Sequence, residues 1–478
     1  MHSFAKYVCR HHNIPFWHTD CIVVSDFFHY FAVQNTLTPF LDMNRYLLAA
    51  AWLPLTLIGG CAAGHKAASK SLESTWEAYD SFNKVYLDSA KYIYRNTNRD
   101  AAATDRWNGA AAIWCQPMYA DMAMNAAALA EKEGDKERAA KYRELARNII
   151  EGNIRHYTGF DFDDSNTTTG WFIYDDIQWW TITLARAAEF FDDDRYRDLA
   201  EKSFARVWYG SPKVGDTGSY ADPEAGLGGG MFWQWQPLEH PKANQAADGK
   251  MSCINFPSVV AAMLLYDLAP ADRKADAEPE KWSNQYGDFS RPRFETKQRY
   301  LDMAKEIYDW SVKNLTDSVT GMVHDNRHGD SVGGHPLIYN QGTFIGASML
   351  LYKATGDSRY LDLARKGADY SIDVMSAEHG CLPWAHNTNN PYDQGSLEQG
   401  VYPAIWVQYM RLLADEDKDS GKYTSFIQRN IEEGWKNRDV ESGICDGEAW
   451  SVTPSDTIIG SYAASSTPAL MLLFPPSK

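Results

Sequence analysis

Positive charge is what this chain has least of for its length. Over 478 residues, 46 Lys and Arg stand against 63 Asp and Glu, a formal net charge of −17. Such a surface repels phosphate backbones and anionic membranes, so no nucleic-acid partner is expected. It is compatible with a neutral polymer, and plain solubility accounts for it equally. Cysteine is sparse, 7 in all, with no CxxC and no zinc-type spacing. A Walker loop, a GxGxxG opening a helix after a strand, HExxH and GxSxG are all missing. Their absence excludes the nucleotide-binding, zinc-protease and serine-hydrolase classes that those motifs carry. His324, His328 and His335 share one loop, but their spacing matches no common metal site. No cofactor and no metal are expected.

The N-terminal part has a pattern of its own. Residues 43–61 place Arg45 ahead of a short apolar run that ends in Ile58-Gly59-Gly60-Cys61. The run is too short and wrongly flanked for an ordinary spanning helix. It resembles a bacterial lipoprotein signal, which implies cleavage before Cys61 and lipidation there. The expectation is a protein lipid-anchored in the envelope of a Gram-negative bacterium, facing the periplasm or the cell surface, with no other tie to the membrane. Residues 1–42 then precede a natural start at Met43 and read as an over-extended start. A metal-binding extension through Cys9, His11, His12 and Cys21 lacks any standard spacing. Residues 43–60 are the signal, 61–73 a tether and 74–478 one catalytic domain. Cys115, Cys253, Cys381 and Cys445 lie far apart; an exported location permits disulfides, and buried thiols are the equal alternative.

Aromatic residues, by contrast, are abundant, with 17 Trp and 27 Tyr. The body of the chain repeats weakly: Tyr86, Tyr142, Tyr196, Tyr300 and Tyr360 each open a Tyr-x-x-x-Ala run, and Tyr423 opens a looser sixth copy. The steps are 54–63 residues, apart from one of 104. Short acidic turns precede several copies. Between the copies lie segments rich in apolar and small residues, near 110–131, 174–190, 252–267, 340–353, 399–414 and 457–473. A helix that is apolar on most faces is buried. Six polar-faced helices alternating with six buried ones predict an all-α fold, a closed (α/α)6 barrel. The long step holds two long loops. The first, 208–250, contains Gly228-Gly229-Gly230-Met231-Phe232-Trp233-Gln234-Trp235 and reads as a binding loop; the second, 268–292, reads as solvated surface.

Residues 170–180 are Gly-Trp-Phe-Ile-Tyr-Asp-Asp-Ile-Gln-Trp-Trp. Asp175 and Asp176 stand between aromatics where an apolar helical pattern begins. Neighbouring carboxylates can divide acid and nucleophile roles when their surroundings separate their pKa values. A helix N-terminus favours the anion, while mutual repulsion favours a proton on one of the two. Flanking rings offer flat faces to sugars. The bland alternative is that Asp in a first turn is simply a cap, and Trp179 and Trp180 lie deep enough to be core.

The run Gly170–Trp179 resembles the signature of glycoside hydrolase family 76, with weaker matches at Gly229-Gly230-Met-Phe-Trp233, at Lys250 with Asn255, and at Tyr339-Asn340-Gln341-Gly342. The resemblance covers roughly residues 74–475. It implies an (α/α)6 barrel and a metal-independent, retaining α-1,6-mannanase in which Asp175 is the nucleophile and Asp176 the acid/base. Tyr174, Trp233, Trp235, Lys250, Asn255, Tyr339, Asn340 and Gln341 would be substrate-binding. One stretch departs from the family's Phe-Lys-Gly: here it is Leu397-Glu398-Gln399-Gly400. The implied partner is mannan or a manno-oligosaccharide, handled by a monomer. Rival readings are another (α/α)6 glycosidase such as an unsaturated glucuronyl hydrolase, a transglycosylase, or a glycan-binding lipoprotein without catalysis.

Overall fold

The computed structural model describes residues 72–476, apart from 104–108, 165–170, 172, 235–248, 285–286, 385–400 and 418–419. Residues 1–71, with the predicted signal and Cys61, lie outside the described residues. Contacts divide the chain into Met1–Gly64 and His65–Lys478, and every helix and strand named below belongs to the second unit.

Among the described residues, twelve helices alternate between two concentric rings. The outer ring is α1 (Leu72–Tyr86), α3 (Lys136–His156), α5 (Asp194–Tyr209), α7 (Lys297–Leu315), α9 (Ser358–Asp369) and α11 (Gly421–Lys436). The inner ring is α2 (Gln116–Lys132), α4 (Tyr174–Phe191), α6 (Ser252–Leu268), α8 (Ile338–Thr355), α10 (Val401–Glu416) and α12 (Ser466–Leu473), the last preceded by the single turn Ser461–Ala464. Each inner helix packs on the next, and α12 packs back on α2, so the ring closes. The (α/α)6 barrel expected from the sequence is the observed fold.

The local chemistry explains the alternation. The acidic turns before the outer helices are N-caps: Asp135, Asp193 and Asp357 accept backbone N–H groups of the first turn. A capping side chain satisfies a donor that the helix itself leaves open, worth about 1 kcal/mol. The repeating tyrosines face inward, and Tyr86, Tyr142, Tyr196 and Tyr300 have no exposed surface. Two of them also stitch the outer ring. The Tyr142 hydroxyl donates to Asp80 at 3.0 Å and that of Tyr196 to Glu151 at 2.8 Å, each on the preceding outer helix. Inner helices are buried on nearly every face; in α8 all residues from Ile338 to Leu351 are inside. Small residues set their spacing. A Cβ added to Gly342 would stand 2.5 Å from Trp406 Cα, so α8 and α10 approach as closely as they do only because Gly342 is bare.

Strand, among the described residues, is confined to connections. β1 (Leu87–Asp88) pairs with β2 (Ile93–Tyr94). β3 (Lys250–Met251), β6 (Asn326–His328) and β7 (Ser331–Gly333) form an antiparallel sheet ahead of α6 and α8. The segment 268–292, expected to be solvated surface, holds a hairpin, β4 (Glu280–Asn284) with β5 (Gly287–Arg291). Trp282 and Phe289 stack across it at 5.5 Å, which is the cross-strand pairing that an isolated two-stranded ribbon needs. The four cysteines of this unit are buried, and Cys253, Cys381 and Cys445 are free thiols.

Candidate active site

Asp175 and Asp176 occupy the first turn of α4. The residue before the helix, Ile173, is extended and supplies no side-chain cap. The orphan N–H groups are met otherwise: Tyr174 donates to the Trp233 carbonyl at 3.0 Å and Asp176 to Asp175 Oδ1 at 3.2 Å. Asp175 therefore does part of a cap's work, but in a setting that suits no simple cap. It is 9% exposed and Asp176 3%. Burial, and then the charge of Asp176, hold the Asp175 carboxyl well above the usual range, against hydrogen bonds from the Cys253 thiol and backbone N–H groups. Two such groups titrate as a unit and share a proton where a lone carboxylate would have released it.

The pair has neighbours that sequence reasoning did not single out. Asp325, just ahead of β6, is 5% exposed. Its Oδ1 accepts from Asn340 at 3.1 Å and its Oδ2 from Asn326 at 3.0 Å. Burial raises its pKa against those bonds. Burial and the charges of Asp175 and Asp325 push the Cys253 thiol up, so it stays protonated between them. Tyr339 faces the same groups and is likewise raised, by burial first and then by Cys253, Tyr402, Asp325 and Asp175. An arc of rings runs beside them. Trp179 lies 6.3 Å from Tyr339, Tyr339 stacks on Tyr402 at 4.0 Å, Tyr402 faces Trp114 at 6.1 Å, and Trp114 faces Tyr462 at 6.4 Å. Trp114 and Tyr402 are half-buried, each keeping part of its surface open to a ligand. Asp325 had no signal of its own among 63 acidic residues. Trp114 and Tyr402 could have been found as aromatics flanking the starts of inner segments.

The predicted binding residues separate into two groups. Trp233, Tyr339 and Asn340 are brought to the acid pair: Trp233 through its carbonyl on Tyr174, Tyr339 through its ring, Asn340 through Asp325. Four others bond to the protein itself. The Tyr174 side chain is fully buried, with its hydroxyl donating to Asp216 at 2.9 Å. Asn255 splints Met231, accepting from its N–H at 2.9 Å and donating to its carbonyl at 3.1 Å. Gln341 accepts from Val323 N–H and donates to the carbonyls of Gly321 and Gly367. The Lys250 ammonium donates to the carbonyls of Leu227 at 2.5 Å and Gly229 at 2.7 Å, lying 5.4 Å from the Trp310 ring centroid. It clamps the glycine-rich loop, whose Gly229 and Gly230 lie flat on Trp310, too close for any side chain. Burial lowers the Lys250 pKa to about 8. In each case the sequence pattern was real, but the partner is backbone or a buried acid, and spacing alone does not distinguish these from a sugar hydroxyl. Trp235 and Leu397–Gly400 lie outside the described residues.

The double helical ring thus gathers two adjoining buried carboxylates and a band of stacked rings on its inner helices. The matching family is glycosyl hydrolase family 76, whose model covers residues 292–472. The match takes in Asp325, Tyr339 and Tyr402 and begins after Asp175 and Asp176. No curated protein matches the chain. Solved structures of the same fold include the α-1,6-mannanase of Salegentibacter sp. HEL1_6, 21% identical, with 84% of this chain and 98% of that one covered and a TM-score of 0.61. An inactive form of that enzyme, with two consecutive aspartates changed to asparagine, was solved with α-1,6-mannotriose. A family 76 mannosidase of Bacteroides thetaiotaomicron VPI-5482 is 18% identical, with 84% and 96% covered and a TM-score of 0.57. Dfg5 of Chaetomium thermophilum, solved with glucosamine, is 15% identical, with 85% and 92% covered and a TM-score of 0.55.

Proposed function

We propose that this chain is an endo-acting, retaining α-1,6-mannanase that cleaves the backbone of α-1,6-linked mannan. The observation that carries the reading is the Asp175–Asp176 pair, buried side by side at the start of an inner helix, beside partly open rings. Cleavage of a glycosidic bond requires one carboxyl to protonate the leaving oxygen and a second to act at the anomeric carbon. Asp175 attacks that carbon while Asp176 protonates the departing oxygen. Water then opens the glycosyl-enzyme with Asp176 as base. The positive end of α4 stabilises the attacking anion; a proton retained by the two close carboxyls sits on Asp176 in the reactive state and leaves Asp175 ionised. Trp114 and Tyr402 supply stacking faces, and Asp325 with Asn340 accepts and donates to ring hydroxyls.

Two lines support this substrate class: the family matched over residues 292–472, and the mannan oligosaccharide held by a structural neighbour of like fold. The excess of acidic residues suits a neutral glycan better than the uronic acids of a glucuronyl hydrolase. Interception of the intermediate by a sugar hydroxyl instead of water would make the same site a transglycosylase. We propose in addition that Cys61 carries lipid and tethers the domain to the envelope; a Cys61→Ala variant is then recovered in the soluble fraction, and continued membrane recovery refutes the tether.

The test is product analysis on linear α-1,6-mannan. Wild type releases internal oligosaccharides with retained anomeric configuration. Asp175→Asn and Asp176→Asn, both folded, each lose at least about a thousandfold in turnover, as expected for residues that act as one catalytic unit. Near-normal turnover in either variant removes that residue from the mechanism. Products longer than the supplied chains identify transfer.

A further inference from the structure

Tyr174 links the acid pair to a second polar cluster, which the catalytic steps do not use. Arg206, in the last turn of α5, is 1% exposed and Asp216 is 2% exposed. Arg206 Nη1 donates to Asp216 Oδ2 at 2.8 Å and Oδ1 at 3.1 Å. The remaining guanidinium bonds go to backbone: Nε to the Phe162 carbonyl at 3.0 Å and Nη2 to that of Trp171 at 3.3 Å. Asp216 also accepts from Ser211 N–H at 2.9 Å, Gly218 N–H at 3.3 Å and the Tyr174 hydroxyl at 2.9 Å. The loop closes tightly on it. Gly210 and Gly218 have φ of +89° and +75°, and a Cβ on Gly210 would meet the Asp216 carbonyl at 2.4 Å. Arg206 thus holds the approach to α4 at Phe162 and Trp171, and through Asp216 holds the first residue of the helix.

We propose that Arg206 and Asp216 are positioning residues that fix the orientation of Asp175 and Asp176 through the Tyr174 hydroxyl. This rests on the catalytic reading of that pair. Three facts carry it. First, α4 has no side-chain cap, so its start is fixed from outside, by the Trp233 carbonyl on one side and Asp216 on the other. Second, Tyr174 is adjacent to Asp175 in the chain, so a rotation of its backbone swings both carboxyls. Third, a buried ion pair is seldom more stabilising than apolar side chains of the same volume; stability alone gives no reason for this cluster, and a demand for fixed geometry does. Displacing a reacting group by about 1 Å can cost a hundredfold in rate.

Tyr174→Phe cuts the link and leaves the ring, the ion pair and both backbone bonds to Asp216 in place. The expected result on α-1,6-mannan is a kcat lower by about 10- to 100-fold, a KM within about threefold of wild type, and a melting temperature little changed. A second readout needs no substrate. The pH dependence of melting, compared between chains with Asp175 and with Asp175→Asn, reports the apparent pKa of the acid pair; Tyr174→Phe shifts that midpoint. The double variant Arg206→Met with Asp216→Leu keeps the volume apolar, and the expectation is a folded protein with the same loss of kcat. Wild-type kcat together with an unmoved midpoint in Tyr174→Phe overturns the inference, as does full kcat in the folded double variant. A wild type inert on every α-1,6-mannan instead sinks the functional reading, and the midpoint then decides the inference alone.

Discussion

Two buried carboxylates flank Tyr174, Asp175 next to it in the chain and Asp216 at its hydroxyl, and their surroundings differ. Asp216 is met by an arginine, a tyrosine hydroxyl and two backbone N–H groups. Both of its oxygens are engaged by fixed donors. Asp175 is pushed by burial and by the charge of Asp176, and its proton is held well above the ordinary range. Burial by itself therefore decides nothing; what matters is whether the donors around a buried carboxyl are matched to its anion. A matched site anchors, and an unmatched one is poised to exchange a proton.

The comparison breaks most visibly at Asp216. Asp216→Ala removes the bidentate partner of buried Arg206 and leaves only Asp163, 3.9 Å from its Nε, as counter-charge; the expected loss is about 3–5 kcal/mol of stability by denaturant melts. A change below about 1 kcal/mol would mean that the cluster is not the anchor described. The opposite sign is expected at the upper site. A carboxyl whose pKa rises on folding binds a proton that the unfolded chain has released. Its contribution is present below the ordinary carboxylate range and is lost as pH rises through the raised value. Asp175→Asn removes that penalty, so the variant is more stable than wild type at neutral pH by about 0.5–2 kcal/mol. The advantage fades toward about pH 4, where both chains carry no charge at this position. A destabilised Asp175→Asn at neutral pH contradicts the raised pKa.

Smaller effects sharpen the contrast between site and scaffold. Trp114→Ala removes one face of the ring arc and is expected to raise KM for oligosaccharides several-fold, with kcat nearly kept. An unchanged KM takes Trp114 off the binding surface. Tyr196→Phe, far out on α5, deletes only its bond to Glu151, and the expected loss is about 0.5–1.5 kcal/mol of stability with no kinetic change. A drop in turnover there would show that the outer ring is coupled to the pair.

Much of this is legible in the chain. The two-ring order follows from helical periodicity, because alternation of polar-faced and fully apolar helices has few other solutions. The repeating tyrosines and acidic turns locate the outer helices, and the turns are caps for the reason that makes Asp a good cap. The Asp175–Asp176 pair stands out because adjoining acids between aromatics are rarely a core pattern. Lys250, Asn255, Gln341 and Tyr174 have the residue types of a sugar site and different partners. Each spends its polar atoms on the protein itself, and a sequence does not show which group of the protein comes within about 3 Å.

What the sequence determined on its own was local and periodic: which segments coil, which faces are apolar, and where two acids adjoin. Tertiary structure decided which acids are buried together. Asp325 reaches the pair from 150 positions away, and Arg206 and Asp216 steady it from an outer helix and a loop. The physical reason is that periodicity is a property of neighbours along the chain, whereas proton affinity depends on every charge, dipole and water excluded around a group in space.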